Sequence, residues 1–166
     1  MTAASWPRVA VVGAGAVGGY FGGMLARAGA QVTLIGRPMH VDVWRRDGLF
    51  IESIDFQERV PVSASTEIAA CGDADLVLFS VKTLDTEETA RQLATHVRAD
   101  ALVVSLQNGV DNVERIRAGA MLGPIAAGVY GACSLAAAGP GPAVCPSCFS
   151  SIMPCYPTIR PITLAV

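Results

Sequence analysis

The sequence predicts an α/β fold built on a doubly wound, mainly parallel sheet, and three observations carry that expectation. Short apolar runs rich in Val, Ile and Leu recur along the chain, with stretches of helical spacing between them. A glycine-rich turn, GAGAVGGYFGG at residues 13–23, joins the first of these runs to the first helical stretch. Beyond Arg117 the only charged side chain is Arg160, so an irregular C-terminal tail is expected after the folded part. With 166 residues, 52% apolar and 16% charged, the chain is long enough to bury a core of its own.

The elements follow in order. Arg8 to Val12 (RVAVV) reads as a buried strand ending at Gly13. From Ala16 to Ala28, the residues Val17, Phe21, Leu25 and Ala28 recur at helical spacing, and Gly29 is placed to stop the helix. QVTLIG (31–36) is a second strand, and MHVDVWRRDG is a short helical or irregular connection. LFIES (49–53) and ERVPVSA (58–64) are expected to pair as a hairpin, with Pro61 at an edge. DLVLFSV (75–81) is the third strand of the main sheet. Asp85 stands three residues before Glu88, a capping-box spacing, ahead of an apolar face made by Ala90, Leu93, Ala94 and Val97. ALVVSL (101–106) is a fourth strand. Asp111 and Glu114 repeat the capping spacing, and PIAAGVYGA (124–132) is a fifth strand. Strands alternating with helices in this way imply a parallel sheet.

Composition limits the partners. A formal charge of −2 without any Lys/Arg cluster provides no field for nucleic acid. The charge-free stretch 118–138 is dominated by Gly, Ala and Pro, so it reads as strand and loops rather than a membrane span. Trp6-Pro7 leads straight into the first apolar run, with no secretory leader pattern, and Cys71 is the single cysteine before Cys133. Both features point to the cytoplasm.

Gly13-x-Gly15-x-x-Gly18 follows a strand and opens a helix, the context in which this spacing binds a dinucleotide on a Rossmann-type sheet. The first glycine makes the turn and the second lets backbone approach a pyrophosphate. The third packs the helix on the sheet, and the helix start supplies amide donors. Gly13, Ala14, Gly15, Ala16, Val17 and Gly18 are therefore the expected pyrophosphate loop; the plain alternative is a tight turn without ligand. At the end of the second strand an NAD site wants an acid, whereas an Arg suits a 2′-phosphate. Here the chain reads Ile35-Gly36-Arg37, which favours NADP (NADPH), the alternative for Arg37 being a solvated surface charge.

Three segments together, GAGAVGGYFGGMLARAG with TLIGR, then SVKTLDTEE, then SLQNGVDN, resemble the ketopantoate reductase (2-dehydropantoate 2-reductase) family over roughly residues 8 to 141. The resemblance implies NADPH-dependent reduction of 2-dehydropantoate to pantoate, in pantothenate biosynthesis, by an N-terminal Rossmann domain working with a helical C-terminal domain. It implies that Lys82 contacts the cofactor and that Asn108 touches both nicotinamide ribose and substrate. Ser134 aligns loosely with a last cofactor contact. Left to themselves, Lys82 reads as a surface cation and Asn108-Gly109 as an ordinary turn. His40 and His96 match no family role, and Cys71 reads as a core or helix-end thiol.

The family's proton donor is a lysine of the helical domain, assisted by an acid and asparagines there. This sequence has no lysine after Lys82, no acid after Glu114 and no asparagine after Asn112. Residues 1–138 are therefore expected to form the dinucleotide-binding domain and 139–166 an irregular tail, with no catalytic residue and no metal site assigned. The tail carries Cys145-x-x-Cys148, with Cys133 and Cys155 loosely spaced around it, a weak pattern for zinc. A frameshift near Gly139 to Pro142, or a truncated or alternative end, accounts better for its Cys, Pro and Ser content. The expected partner is a small 2-keto acid if a helical domain complements the chain, and an exposed interdomain face allows homo-oligomers. A non-catalytic NADP-binding sensor or docking module, and a reductase of another small 2-keto acid, are the competing functions.

Overall fold

The computed structural model describes residues 6–53, 55–109, 111–119 and 125–127. The tail 139–166 with its three cysteines, Cys133, Ser134 and most of the strand expected over 124–132 lie outside the described residues.

The parallel sheet is present, with six strands among the described residues. β1 (Val9–Val12), β2 (Val32–Ile35), β6 (Leu76–Phe79), β7 (Leu102–Ser105) and β8 (Ile125–Ala127) take the five expected places. The sixth, β5 (Ser63–Ser65), comes from the segment expected to finish a hairpin. The sheet order is β5-β2-β1-β6-β7-β8, every neighbouring pair parallel. The chain thus winds outward from β1 to one edge, then crosses to β6 and winds to the other. β1 and β6 flank the switch point, where ligands of open α/β sheets bind beyond the strand C-termini.

Both faces of the sheet are covered, which is why its strands read as unbroken apolar runs. No residue of β1 is more than 2% exposed. Val9 and Val11 join Leu34, Leu78 and Val104 in a core under α1 (Ala16–Arg27). Ala10 and Val12 join Ile35, Val77, Phe79 and Val103 in a second core, closed by Ala90 and Leu93 of α3 (Thr86–Ala94) and Ile116 of α4 (Asn112–Gly119). Each fully buried Val or Leu contributes about 1.5–3 kcal/mol. Cys71 ends a 3-10 turn (Ile68–Cys71) in this second core, and burial pushes its thiol pKa up to about 12.

The structure corrects the sequence reading in three places. The hairpin pairs β3 (Leu49–Glu52) only with β4 (Gln57–Val60), antiparallel. Pro61, without an N–H to continue that ladder, marks the break, and the chain steps across to enter the main sheet as β5 beside β2. The fully buried residues of α1 are Gly18, Gly19, Tyr20, Gly22, Gly23 and Leu25; Phe21 packs on the core only partly buried, Val17 is half-buried and Ala28 is exposed. Glycine is what permits that approach: a Cβ on Gly22 would lie 2.7 Å from Val11 Cγ2, and one on Gly23 would lie 2.6 Å from Ile51 Cδ1. The strand side chains reach the helix backbone itself because no helix side chain stands in their way, which outweighs glycine's poor helix propensity. Finally, Asp85 occupies the N-cap of α3 but makes no side-chain cap bond; Glu88 instead pairs with Arg91 and accepts from Gln92. The 3-10 turn Thr83–Asp85 that runs directly into α3 carries the chain there instead. Gly29 stops α1 as expected, at φ +98°.

Candidate cofactor site

The site forms where the C-terminal ends of β1, β2, β6 and β7 meet. Gly13 turns the chain at φ +81°, and a Cβ there would sit 2.8 Å from the backbone of Val81, so the loop after β1 lies directly on the loop after β6. The N–H groups of Gly13 and Ala14 both donate to the carbonyl of Ile35, at 3.2 and 3.0 Å. They tie the turn to β2 and are not available to a ligand. Ser80 holds the turn from the other side, its Oγ donating to the carbonyls of Val12 and Gly13 at 3.2 and 2.9 Å. Gly18 lies so close above this hydroxyl that a Cβ would collide with Ser80 Oγ.

The remaining glycine faces outward. A Cβ on Gly15 would find nothing nearer than the carbonyl of Gly13 at 3.9 Å, so within the protein this position has room for a side chain. A ligand closing on the backbone would need that room. α1 starts here with no side-chain cap, and among the described residues no group accepts from the N–H of Ala16, Val17 or Gly18. Three donors at the positive end of a helix dipole suit a phosphate oxygen. Of the six loop residues expected to meet pyrophosphate, Ala16, Val17 and Gly18 keep unused N–H groups, while those of Gly13, Ala14 and Gly15 are spent within the turn, Gly15 donating to the Gly13 carbonyl at 2.7 Å.

Next to the loop is an open cavity of about 410 Å³, lined by Gly13, Gly36, Arg37, Glu67, Gln92 and His96 among others. Arg37 caps α2 (Pro38–Asp47) through its backbone, its carbonyl accepting from His40 and Val41, which leaves its side chain exposed. His96, to which the sequence assigned no role, is exposed on the same cavity. Among the described residues Arg37 and Lys82 are the cations with no ion pair, hydrogen bond or ring contact, whereas the other arginines are engaged. These are the two cations that the sequence reading had picked for the cofactor.

Lys82 and Asn108 do not line that cavity; they stand exposed on the loops after β6 and β7. Gly109 follows Asn108 at φ +116°, and buried Asn112 donates from Nδ2 to the Asn108 carbonyl at 2.6 Å. Sequence reasoning missed this second set of polar residues: Ser80, Thr86, Gln107 and Asn112. For Ser80 and Gln107 the signal was a polar residue just beyond the end of an apolar strand; Thr86 and Asn112 instead open the helices that follow. Among the described residues no cluster of three or more His, Cys, Asp or Glu could hold a metal, and no helix is long and apolar enough to cross a membrane.

Comparison with known proteins agrees with this fold. Residues 9–144 match the ketopantoate reductase PanE/ApbA family. The 2-dehydropantoate 2-reductase of Pyrococcus horikoshii is 37% identical over 109 residues, which cover 66% of this chain and 35% of that enzyme. The chain therefore spans about a third of the length of such relatives. The crystal structure of a PanE/ApbA family ketopantoate reductase from Ralstonia eutropha JMP134 superposes with a TM-score of 0.70 at 49% identity, over 72% of this chain and 40% of that one. A D-mandelate dehydrogenase solved with NADH and anilino(oxo)acetate superposes with a TM-score of 0.65 at 25% identity, over 74% and 40% of the two chains.

Proposed function

This chain belongs to the ketopantoate reductase PanE/ApbA family, and on that premise we propose that it carries the NADPH-binding portion of a 2-dehydropantoate 2-reductase. The observation that carries the proposal is the coincidence of two unpaired cations, Arg37 and Lys82, with three unused amide donors on one rim of the sheet. The N–H groups of Ala16, Val17 and Gly18 would hold the pyrophosphate, with Gly15 giving it access. Arg37 would pair with the 2′-phosphate, and Gly36 beside it offers no carboxylate to a ribose hydroxyl. Lys82 and Asn108 would orient the nicotinamide end, Asn108 also meeting the substrate. When bound, the dinucleotide supplies the hydride.

Reduction of a keto group also needs a proton for the developing alkoxide. Lys82 is the only lysine of the sequence and is assigned to the cofactor, so the proton donor is expected from residues outside this portion. A reductase acting on another small 2-keto acid uses the same cofactor portion and differs in those residues. A cofactor-sensing module that docks on a partner is the second reading, favoured by Leu84, 92% exposed two residues beyond Lys82. The single early cysteine, buried as a thiol, suits a reducing cytoplasm. The test is to follow NADPH and 2-dehydropantoate with the 166-residue chain. Binding of NADPH without its consumption is expected, and turnover by these residues alone would overturn the division of roles.

A further inference from the structure

The loops that bear Lys82 and Asn108 are tied together by one buried side chain. Gln107, 7% exposed at the end of the apolar run after β7, uses its whole amide group on neighbours. Its Nε2 donates to the Val81 carbonyl at 3.0 Å and to Thr86 Oγ1 at 2.7 Å, while its Oε1 accepts from Ser105 Oγ at 3.2 Å. With both N–H groups and the oxygen engaged, the side chain has one orientation. Val81 is the residue before Lys82, and its carbonyl belongs to the peptide that Lys82 continues. Thr86, fully buried, is the first residue of α3. Gln107 is itself the residue before Asn108.

We propose that Gln107 is a positioning residue that sets Lys82 and Asn108 in fixed register through the Val81 carbonyl and Thr86. The proposal rests on the cofactor reading above and assigns Gln107 to the nicotinamide end alone. The pyrophosphate turn packs on Val81 but has hydrogen bonds of its own, to Ile35 and Ser80. Replacing Gln107 should therefore loosen one end of the bound dinucleotide and leave the other as it was. A buried network of this kind is stabilising only while complete, which makes its members sensitive to single-atom changes.

The experiment compares NADPH with 2′,5′-ADP, a fragment that keeps the adenosine and 2′-phosphate but has no nicotinamide. Both are titrated calorimetrically into the full chain and into Gln107→Glu, Thr86→Val and Thr86→Ser. Gln107→Glu keeps the shape but removes the Nε2 donor, and Thr86→Val removes only the hydroxyl. Each is expected to raise the Kd for NADPH about tenfold, the order of one lost buried hydrogen bond, with 2′,5′-ADP changed by less than about twofold. Thr86→Ser restores the acceptor and should restore NADPH affinity. Equal weakening of both ligands, or no weakening of either, would overturn the positioning role while leaving the cofactor reading intact. A parent chain that binds neither ligand would overturn both. If Gln107→Glu fails to fold, the two Thr86 variants decide the matter.

Discussion

Cζ3 of the Trp44 indole stands 2.9 Å from the point that a Cβ on Gly36 would occupy, and Cη2 stands 3.1 Å from it. His40 stacks on the same indole, the ring centroids 5.6 Å apart and the planes 19° from parallel. Position 36 is where an acid would hold the ribose 2′-hydroxyl of NAD, so here the indole must move before any side chain can enter. Gly36→Asp alone is expected to cost about 1–3 kcal/mol by overpacking and to gain no NADH affinity. Combined with Trp44→Ala, it should bind NADH more tightly than the single variant does. Thermal unfolding and NADH titration of both variants check this; tighter NADH binding by Gly36→Asp alone at unchanged Tm would contradict it.

Gly18 and Ser80 are coupled by contact. Gly18→Ala should destabilise by about 1–3 kcal/mol through collision with Ser80 Oγ and Val11 Cγ1. Ser80→Ala should cost about 1 kcal/mol by removing the hydroxyl shared by the carbonyls of Val12 and Gly13, which keep only the backbone N–H groups of Ser80 and Gly15. The double variant should lose less than the two single losses added, because Ser80→Ala removes one of the colliding atoms. Relief stays incomplete, since Val11 Cγ1 would still lie 2.9 Å from the new methyl. A double-mutant cycle by denaturant unfolding measures the coupling, and strict additivity would show that the two residues do not act on one another.

Far from the site, at the opposite end of the sheet, Arg8 holds the Asp75 carboxyl down to a pKa of about 2, chiefly through its side-chain hydrogen bond and also through its backbone N–H. Arg98 adds a second cation at 3.1 Å. A carboxylate with a depressed folded pKa stabilises fully above its unfolded value, about 3.9, and that contribution is lost as pH falls through about 2. Stability should therefore decline between about pH 4 and pH 2 in the parent chain, and Asp75→Asn should flatten that part of the curve. Both groups are solvent-exposed, so added salt should shrink the difference. Urea unfolding across this pH range is the check.

The fold and the glycine turn were legible because each rests on local signals. Strands buried on both faces are continuous apolar runs, and a turn that must lie on Val81 at positive φ requires glycine at position 13. The place of Arg37, exposed just beyond the end of β2, was legible because that strand end follows from the apolar run QVTLIG. The β4–β5 break was not, since the sequence places Pro61 at an edge without saying which sheet the next strand joins. Nor was the buried face of α1, where glycine rather than bulk marks the contact with Val11 and Ile51. Gln107, Thr86 and Ser80 escaped for another reason: their partners lie on other loops. Gln107 bonds Thr86 across 21 residues and Ser80 bonds Gly13 across 67, so only the assembled sheet ends bring them together.

The central claim is that this chain holds NADPH with Arg37 on the 2′-phosphate. Calorimetric titration of NADPH and NADH into the parent chain and into Arg37→Ala tests it most directly. The parent should bind NADPH more tightly than NADH. Arg37→Ala should raise the NADPH Kd by about tenfold or more, the scale of a lost charge-assisted contact, and leave NADH within about twofold. Equal losses for the two cofactors, or a parent chain that does not bind NADPH, would contradict the account.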